Sequence, residues 1–410
     1  MLKKSREYIK YKYLNIKKMR ENGLDKQEIL KILEKKLEKD FSYSSGSILG
    51  SMCTEPLDFG VEIYMKYIFK NLGDPGLFLG TAALEEELVS EIGELFNEKN
   101  IIGTFTTGGS EANLIAMRIA KKLKPDIIRP EVVVPCSAHI SFDKAADILG
   151  VKLRKAKLND NFELDLAHFE SLLNRNTCGV VGIAGTTSLG LIDPIEEIGT
   201  LVEDKNIFFH IDAAFGGFIL PFLKRLNFSI PKWDFSVDAV DSITADPHKM
   251  GLGVIPSGGF FLRDPSILQK TGYEIPYLAG GNFKHFHIVG TRSGGTVIAF
   301  WAILKSLGVN GFVQIVKRCM ENTEYLTDKI NDMKGIKLLT NPITNVVGIT
   351  TENGESICKI DEELRKRNWM LGKFEEFNLI RVVIMPHVQK SHLQNFVEDL
   401  ENIRKKLQIY

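Results

Sequence analysis

Three short stretches carry residue types at spacings that could do chemistry. The first is Thr106-Thr107-Gly108-Gly109-Ser110-Glu111-Ala112-Asn113, which follows an apolar run and opens a helical pattern. Two glycines let the backbone approach an anion, a helix N-terminus presents unpaired N–H groups, and Ser110 adds a hydroxyl donor. Together these make a phosphate cradle, although the segment also reads as a plain strand-to-helix turn with Ser110 as N-cap. It is not the G-x-x-x-x-G-K-[ST] loop, and Gly251-x-Gly253 runs into Pro256 instead of completing a dinucleotide fingerprint, so nucleotides are disfavoured.

The second stretch, His210-Ile211-Asp212-Ala213-Ala214-Phe215-Gly216-Gly217, sets Asp212 at the end of another apolar run with small residues beside it. An aspartate there is commonly a turn or cap residue. It also suits a carboxylate that keeps a pyridine nitrogen protonated under a flat ring. The third, Ser242 to Gly251, places His248 and Lys249 just past a further run. A lysine is normally a solvated charge, but desolvation between a strand and a glycine turn would leave its amine nucleophilic, as a Schiff-base lysine requires. A phosphate cradle, a strand-end aspartate and such a lysine on one sheet specify one cofactor, pyridoxal 5'-phosphate.

The elements that must hold these residues are legible in outline. From about residue 101 to 263, short apolar runs alternate with helical patterns: Ile101–Phe105, Val132–Pro135, Val180–Ala184, Ile207–Ile211, Ser242–Ala245 and Gly259–Leu262. That alternation predicts an α/β fold with a mostly parallel sheet covered on both faces and ligands at the strand C-terminal ends. Beyond about 290 the pattern predicts a smaller α+β domain: a long helix from Thr296 to Met333, strands at Asn345–Thr350 and Ile380–Met385, and helices near Asp361–Asn368 and from Ser391. The expected division is an N-terminal helical segment (1–49), a large cofactor-binding domain (50–290) and a small C-terminal domain (291–410). Residues 271–290, rich in glycine and aromatics, match neither period and read as a long irregular, mobile active-site loop. Near the N-terminus, Leu24, Ile29, Leu30, Ile32, Leu33 and Leu37 form an apolar stripe with Asp25 and Glu28 offset as in a capping box. Such a helix should dock on something.

Composition excludes several classes. The 410 residues carry Lys+Arg 52 against Asp+Glu 52, so there is no basic field for nucleic acid. Five cysteines (Cys53, Cys136, Cys178, Cys319, Cys358) show no C-x-x-C spacing, which argues against a disulfide framework or a metal cluster and fits the cytoplasm. No apolar run approaches the roughly 18 residues of a membrane span. The first twenty residues hold eight Lys/Arg against one acid, read as a solvated helix face rather than a membrane or targeting segment.

On these residues the sequence resembles the pyridoxal-phosphate group II amino-acid decarboxylases of fold type I. The motifs are GSMCTEP (50–56), NLGDPGLF (71–78), TTGGSEAN (106–113), SAHISF (137–142), GIAGTTSLGLID (182–193), HIDAAFGG (210–217), DSITADPHKMG (241–251), GTRSGG (290–295) and LIRVVIMPH (379–387). Within that group it is most similar to the archaeal tyrosine/aspartate decarboxylases, linked to methanofuran and β-alanine synthesis. The resemblance implies Lys249 as the residue that carries the cofactor, Asp212 as partner of the pyridine nitrogen, and Ala214 and His139 on opposite ring faces. It implies Gly108, Gly109, Ser110 and His248 around the phosphate, with Thr187 close to Asp212. Asp246, an anion beside a phosphate, is expected to orient His248 or a backbone group.

The resemblance also implies a homodimer with the site at the subunit interface. Thr291 and the 271–290 loop would then serve the neighbouring subunit, with Tyr277 as the loop acid and Tyr273 as the alternative. Arg381 would meet the substrate carboxylate, although it could instead pair with Glu375 or Glu376 on a surface strand. The implied reaction takes an L-amino acid, tyrosine or aspartate, to its amine and CO₂. Glutamate decarboxylation and a sphingosine-phosphate-lyase-like C–C cleavage are the alternatives.

Overall fold

The computed structural model describes residues 19–409. The basic N-terminal stretch lies, apart from Met19 and Arg20, outside the described residues. The chain divides after Ser42 into two compact units. In the first, Asp25 caps the helix Lys26–Leu37 by accepting from the Gln27 N–H. Glu28 does not complete a capping box, and no residue of this helix is buried among the described residues.

In the second unit a seven-stranded sheet is formed by β1 (Ile102–Thr106), β2 (Glu131–Pro135), β3 (Lys152–Ala156), β4 (Thr177–Ile183), β5 (Phe208–Asp212), β6 (Ser242–Ala245) and β7 (Gly258–Leu262). Their order is β1-β7-β6-β5-β4-β2-β3. Only β7 runs antiparallel to its neighbours. Strands buried on both faces, such as β2, β4 and β5, read as continuous apolar runs because crossover helices cover both sides. The edge strand β3, KLRKA, carries no such run and sequence reasoning missed it. Its Arg154 pairs with Glu131 of β2, which holds that carboxyl at about 2.

A second sheet, fully antiparallel and of order β10-β11-β13-β12, joins β10 (Ile336–Leu338), β11 (Val346–Thr351), β12 (Gly372–Phe374) and β13 (Leu379–Val383). The helices Ile357–Lys366 and Lys390–Lys406 cover it, and Leu326, Ile349, Leu364, Ile380 and Phe396 share its core. Residues 43–50, placed by the sequence with the N-terminal segment, are tied to this sheet: Leu49 donates to the Met370 carbonyl and accepts from Val383.

One expectation needs correction. The 271–290 segment is not irregular. It forms a β-hairpin of β8 (Tyr273–Leu278) and β9 (Gly281–His285), whose alternation is masked because both strand faces are largely exposed. The helix Gly294–Asn331 is long and apolar enough to cross a membrane by composition, with a window of mean hydropathy 1.5. Here Val297, Phe300, Ile303, Phe312 and Val316 bury one side of it in the main core, and Gly308, at φ 55°, breaks its regularity.

The junction of β1 and β7 leaves no slack. A Cβ at Gly258 would lie 2.5 Å from the Gly108 backbone and 2.6 Å from Thr106 Oγ1. Gly258→Ala is expected to cost about 2 kcal/mol, read as a lower melting temperature; an unchanged melt would show that the 106–108 turn yields.

Candidate active site

Five strand ends converge on one cavity of about 300 Å³. Thr107 to Glu111 follow β1, His139 follows β2, Gly185 and Thr187 follow β4, Asp212 and Ala214 close β5, and Asp246 to Lys249 follow β6. Because β1, β2, β4, β5 and β6 run the same way, all five turns lie at one sheet edge.

The glycine turn is built for close approach. Gly108, at φ 140°, is the N-cap of the helix Gly109–Lys122, so Ser110 is not the cap but the second helical residue. A Cβ on Gly109 would stand 2.8 Å from Asp246 Oδ2 and 3.1 Å from the Ala214 Cβ. The helix N-terminus and the Ser110 hydroxyl therefore face the cavity across bare backbone, as an anion cradle requires. His248 borders it. Its Nδ1 accepts from the Ser257 N–H at 3.0 Å, which leaves the proton of the neutral ring on Nε2. Glu111 closes the turn by accepting from both N–H and Oγ1 of Thr107, at 2.8 and 2.9 Å.

Lys249 Nζ lies 3.1 Å from Asp246 Oδ2, while His248 Nε2 is 3.8 Å from the same oxygen. Asp246, expected to orient His248 or a backbone group, thus stands nearer to the Lys249 amine than to the His248 ring. Its other oxygen, Oδ1, is buried without a hydrogen-bond partner. Burial lowers the pKa of both His248 and His139. The His139 ring accepts from the Ser141 N–H through Nδ1, at 3.2 Å.

Asp212 accepts from the Ala214 N–H at 3.0 Å and from Asn113 Nδ2 at 2.9 Å. It is a turn residue and a cavity carboxylate at once. Its bonds come from Asn113 and not from Thr187, which shares the cavity. Asn113 and Glu111 line the cavity without having stood among the candidate residues. The motif 106–113 contains Asn113 and Glu111, but their helical offsets to a strand 99 residues on cannot be read from spacing.

Four residues put forward from the sequence lie outside this cavity. Tyr277 is 81% exposed on the hairpin, and Thr291 is exposed at its base. Tyr273 is held by Arg118, whose guanidinium carbon sits 3.7 Å from the ring centroid. Arg381 is buried on β13, between β11 and β12, so the surface pairing with Glu375 or Glu376 does not occur; Glu375 pairs with Lys373. The Arg381 guanidinium instead donates to the backbone carbonyls of Thr187, at 2.8 Å, and Gly50. Its Nε has no partner, and burial pulls its pKa down to about 10.

Comparison with known proteins fits this geometry. Residues 80–350 match the pyridoxal-dependent decarboxylase conserved domain. An L-aspartate/L-glutamate decarboxylase of Pyrococcus horikoshii is 42% identical over 381 residues, 93% of this chain and 98% of that protein. A probable L-tyrosine/L-aspartate decarboxylase of Methanothermobacter thermautotrophicus is 43% identical over 363 residues, 88% of this chain and 99% of that protein. A sphingosine-1-phosphate lyase structure from Burkholderia pseudomallei K96243 matches with TM-score 0.88 and 25% identity, covering 96% of this chain and 93% of that one.

Two buried groups behind the cavity give a pH signature. Burial pushes the Asp193 carboxyl up to about 7, with the Asp212 charge adding to it, and pulls His210 down to about 4. The Asp193 contribution to stability is complete below its unfolded value near 4 and is lost as pH rises through 7. The His210 contribution is complete above about 6.5 and is lost as pH falls through 4. The two oppose each other between these limits. In Asp193→Asn the melting temperature should therefore climb more steeply than in the wild type from about pH 4.5 to 6.5. Parallel profiles would show that Asp193 is ionised in the folded chain.

Proposed function

The chain belongs to the pyridoxal-dependent decarboxylases, and from that membership we propose that it decarboxylates L-aspartate to β-alanine, with Lys249 carrying the cofactor. It is a pyridoxal-phosphate-dependent amino-acid decarboxylase. The substrate is argued from the relatives: aspartate stands in the names of both proteins above. L-Tyrosine to tyramine is the second reading, favoured by the name of the 43% relative.

The residues present fit pyridoxal phosphate. The bare Gly108-Gly109 backbone, Ser110 and His248 would hold the phosphate, and His139 and Ala214 the two ring faces. Asp212 would hold a proton on the pyridine nitrogen, and Lys249 would bind the aldehyde carbon. When bound, the cofactor supplies the electron sink that takes up the pair released as CO₂ leaves. The single observation that carries the reading is the convergence of Lys249, Asp212 and the glycine cradle on one cavity at one sheet edge.

The chain's own residues then have separable tasks. Asp246 keeps its carboxylate 3.1 Å from the Lys249 amine and so fixes where that amine stands in the cavity. Arg381, held by two carbonyls, would orient the substrate carboxylate whose charge disappears as the bond breaks, so it acts on the ground state. Tyr277 would deliver the proton to the substrate Cα. Its exposure in one chain supports a homodimer in which the hairpin and Thr291 reach the neighbouring subunit's cavity and exclude water. In this reading residues 50–290 form the cofactor domain and 291–410 the small domain.

Incubating the holoenzyme with a panel of L-amino acids should yield β-alanine from aspartate, and borohydride reduction followed by peptide mapping should label Lys249. Tyramine alone would pass the substrate to the second reading, and a label on another lysine would sink the assignment. Tyr277→Phe should still release CO₂ but lose the one-to-one ratio of amine to CO₂, because phenylalanine has no proton to give. If the ratio stays at one with the wild-type rate, the acid is Tyr273, His139 or Lys249.

A further inference from the structure

Behind Asp212, away from the cavity, stands a chain of polar side chains in an otherwise apolar layer. His210 precedes Asp212 by two residues on β5, so both project from the same face of the strand. In register on β6, Ser242 lies opposite His210 and Thr244 opposite Asp212. The His210 ring is buried between Phe142 and Phe260, with each centroid 6.3 Å away. Its Nδ1 is 2.8 Å from Ser242 Oγ, and its Nε2 is 3.1 Å from Asn113 Oδ1 and 3.2 Å from Thr244 Oγ1. Asn113 in turn gives Nδ2 to Asp212 Oδ2 at 2.9 Å and to Ser141 Oγ at 3.0 Å.

Donor and acceptor chemistry allows one arrangement of this chain. A carboxylate only accepts, so Asp212 requires the amide nitrogen of Asn113 on its side. The Asn113 carbonyl oxygen then faces His210 and also only accepts. Nε2 must therefore carry the imidazole proton, and Nδ1 must accept from the Ser242 hydroxyl. In the opposite tautomer the asparagine would flip and set its carbonyl oxygen against the Asp212 carboxylate, two acceptors in contact without a proton between them. Burial keeps His210 neutral at pH 7, as the arrangement needs.

We propose that His210 and Asn113 are positioning residues for Asp212: a histidine with its proton on Nε2 locks the Asn113 amide, and the amide holds the Asp212 carboxylate turned toward the cavity. The inference rests on the reading of Asp212 as partner of the pyridine nitrogen. It adds that the orientation of Asp212 there is set two side chains away, by the tautomer of a histidine that touches neither cofactor nor substrate.

The test uses the full-length enzyme, without cofactor and loaded with pyridoxal phosphate. In nitrogen–proton NMR of the imidazoles, the signal lost in His210→Gln should show a protonated Nε2 and a bare Nδ1 at pH 7, in both forms. Asn113→Ala and His210→Phe, which break the chain at successive links, should weaken cofactor binding and lower kcat about tenfold to a hundredfold, with KM for the amino acid little changed. Both should also shift the pH midpoint of the bound cofactor's absorbance. His210→Gln, whose amide can still donate to Asn113, should recover part of each effect.

A wild-type His210 protonated on Nδ1 or on both nitrogens at pH 7 overturns the proposal. So do Asn113→Ala and His210→Phe proteins that keep wild-type cofactor affinity and absorbance profile. Should His210→Phe fail to fold, the wild-type tautomer and Asn113→Ala decide. If the wild type decarboxylates no amino acid yet shows the Nε2 tautomer and loses cofactor affinity in Asn113→Ala, the proposed function fails while the positioning chain stands.

Discussion

Burying a carboxylate with hydrogen-bond donors to meet it is the constraint around which the centre of this molecule is arranged. Asp212 sits at the end of a strand whose five residues are all buried, where an unpaired charge would cost several kcal/mol or take up a proton. Two donors meet it, the Ala214 N–H and the Asn113 amide, and each is fixed by its own surroundings. The turn after β5 supplies the first. The second needs the helix Gly109–Lys122 to cross behind the strand at a set height, which the glycine turn after β1 determines. The anion cradle and the charge at the far end of the cavity therefore depend on one helix.

Asp193 is met by a different set of donors. Asp193 is as deeply placed and has the Ile183 N–H as donor, but no second donor like Asn113 meets it, and burial pushes its carboxyl up to about 7. Asp246 is handled in a third way, by a lysine 3.1 Å from one oxygen while the other oxygen has no partner. Three carboxylates within one layer of the fold are thus given three environments, and the differences come from donor geometry and counter-charge, not from depth alone.

The smaller sheet contributes through Arg381, whose guanidinium reaches out of β13 to the carbonyls of Gly50 and Thr187. Gly372 on the adjacent strand leaves room for it, since a Cβ there would stand 2.9 Å from Arg381 Nε. One wall of the cavity, the β4 turn, is therefore tied to the second sheet through a cation. The hairpin is different in kind: both of its strands are largely exposed, and Tyr277 projects from it into solvent.

The sequence by itself determined the strands that are buried on both faces, since an apolar run bounded by turn residues has few other uses. It also determined the residues that end those strands, because Gly108, Asp212 and Lys249 each follow such a run directly. It could not show β3, whose polar edge position leaves no run, nor the hairpin, whose two strands bury no continuous face to impose a period. Only the tertiary structure decided which side chains meet across strands. Asn113 and His210 lie 97 residues apart and touch at 3.1 Å, and Arg381 reaches Thr187 across 194 residues. Such pairings are set by sheet order and helix crossing, and no local periodicity records either.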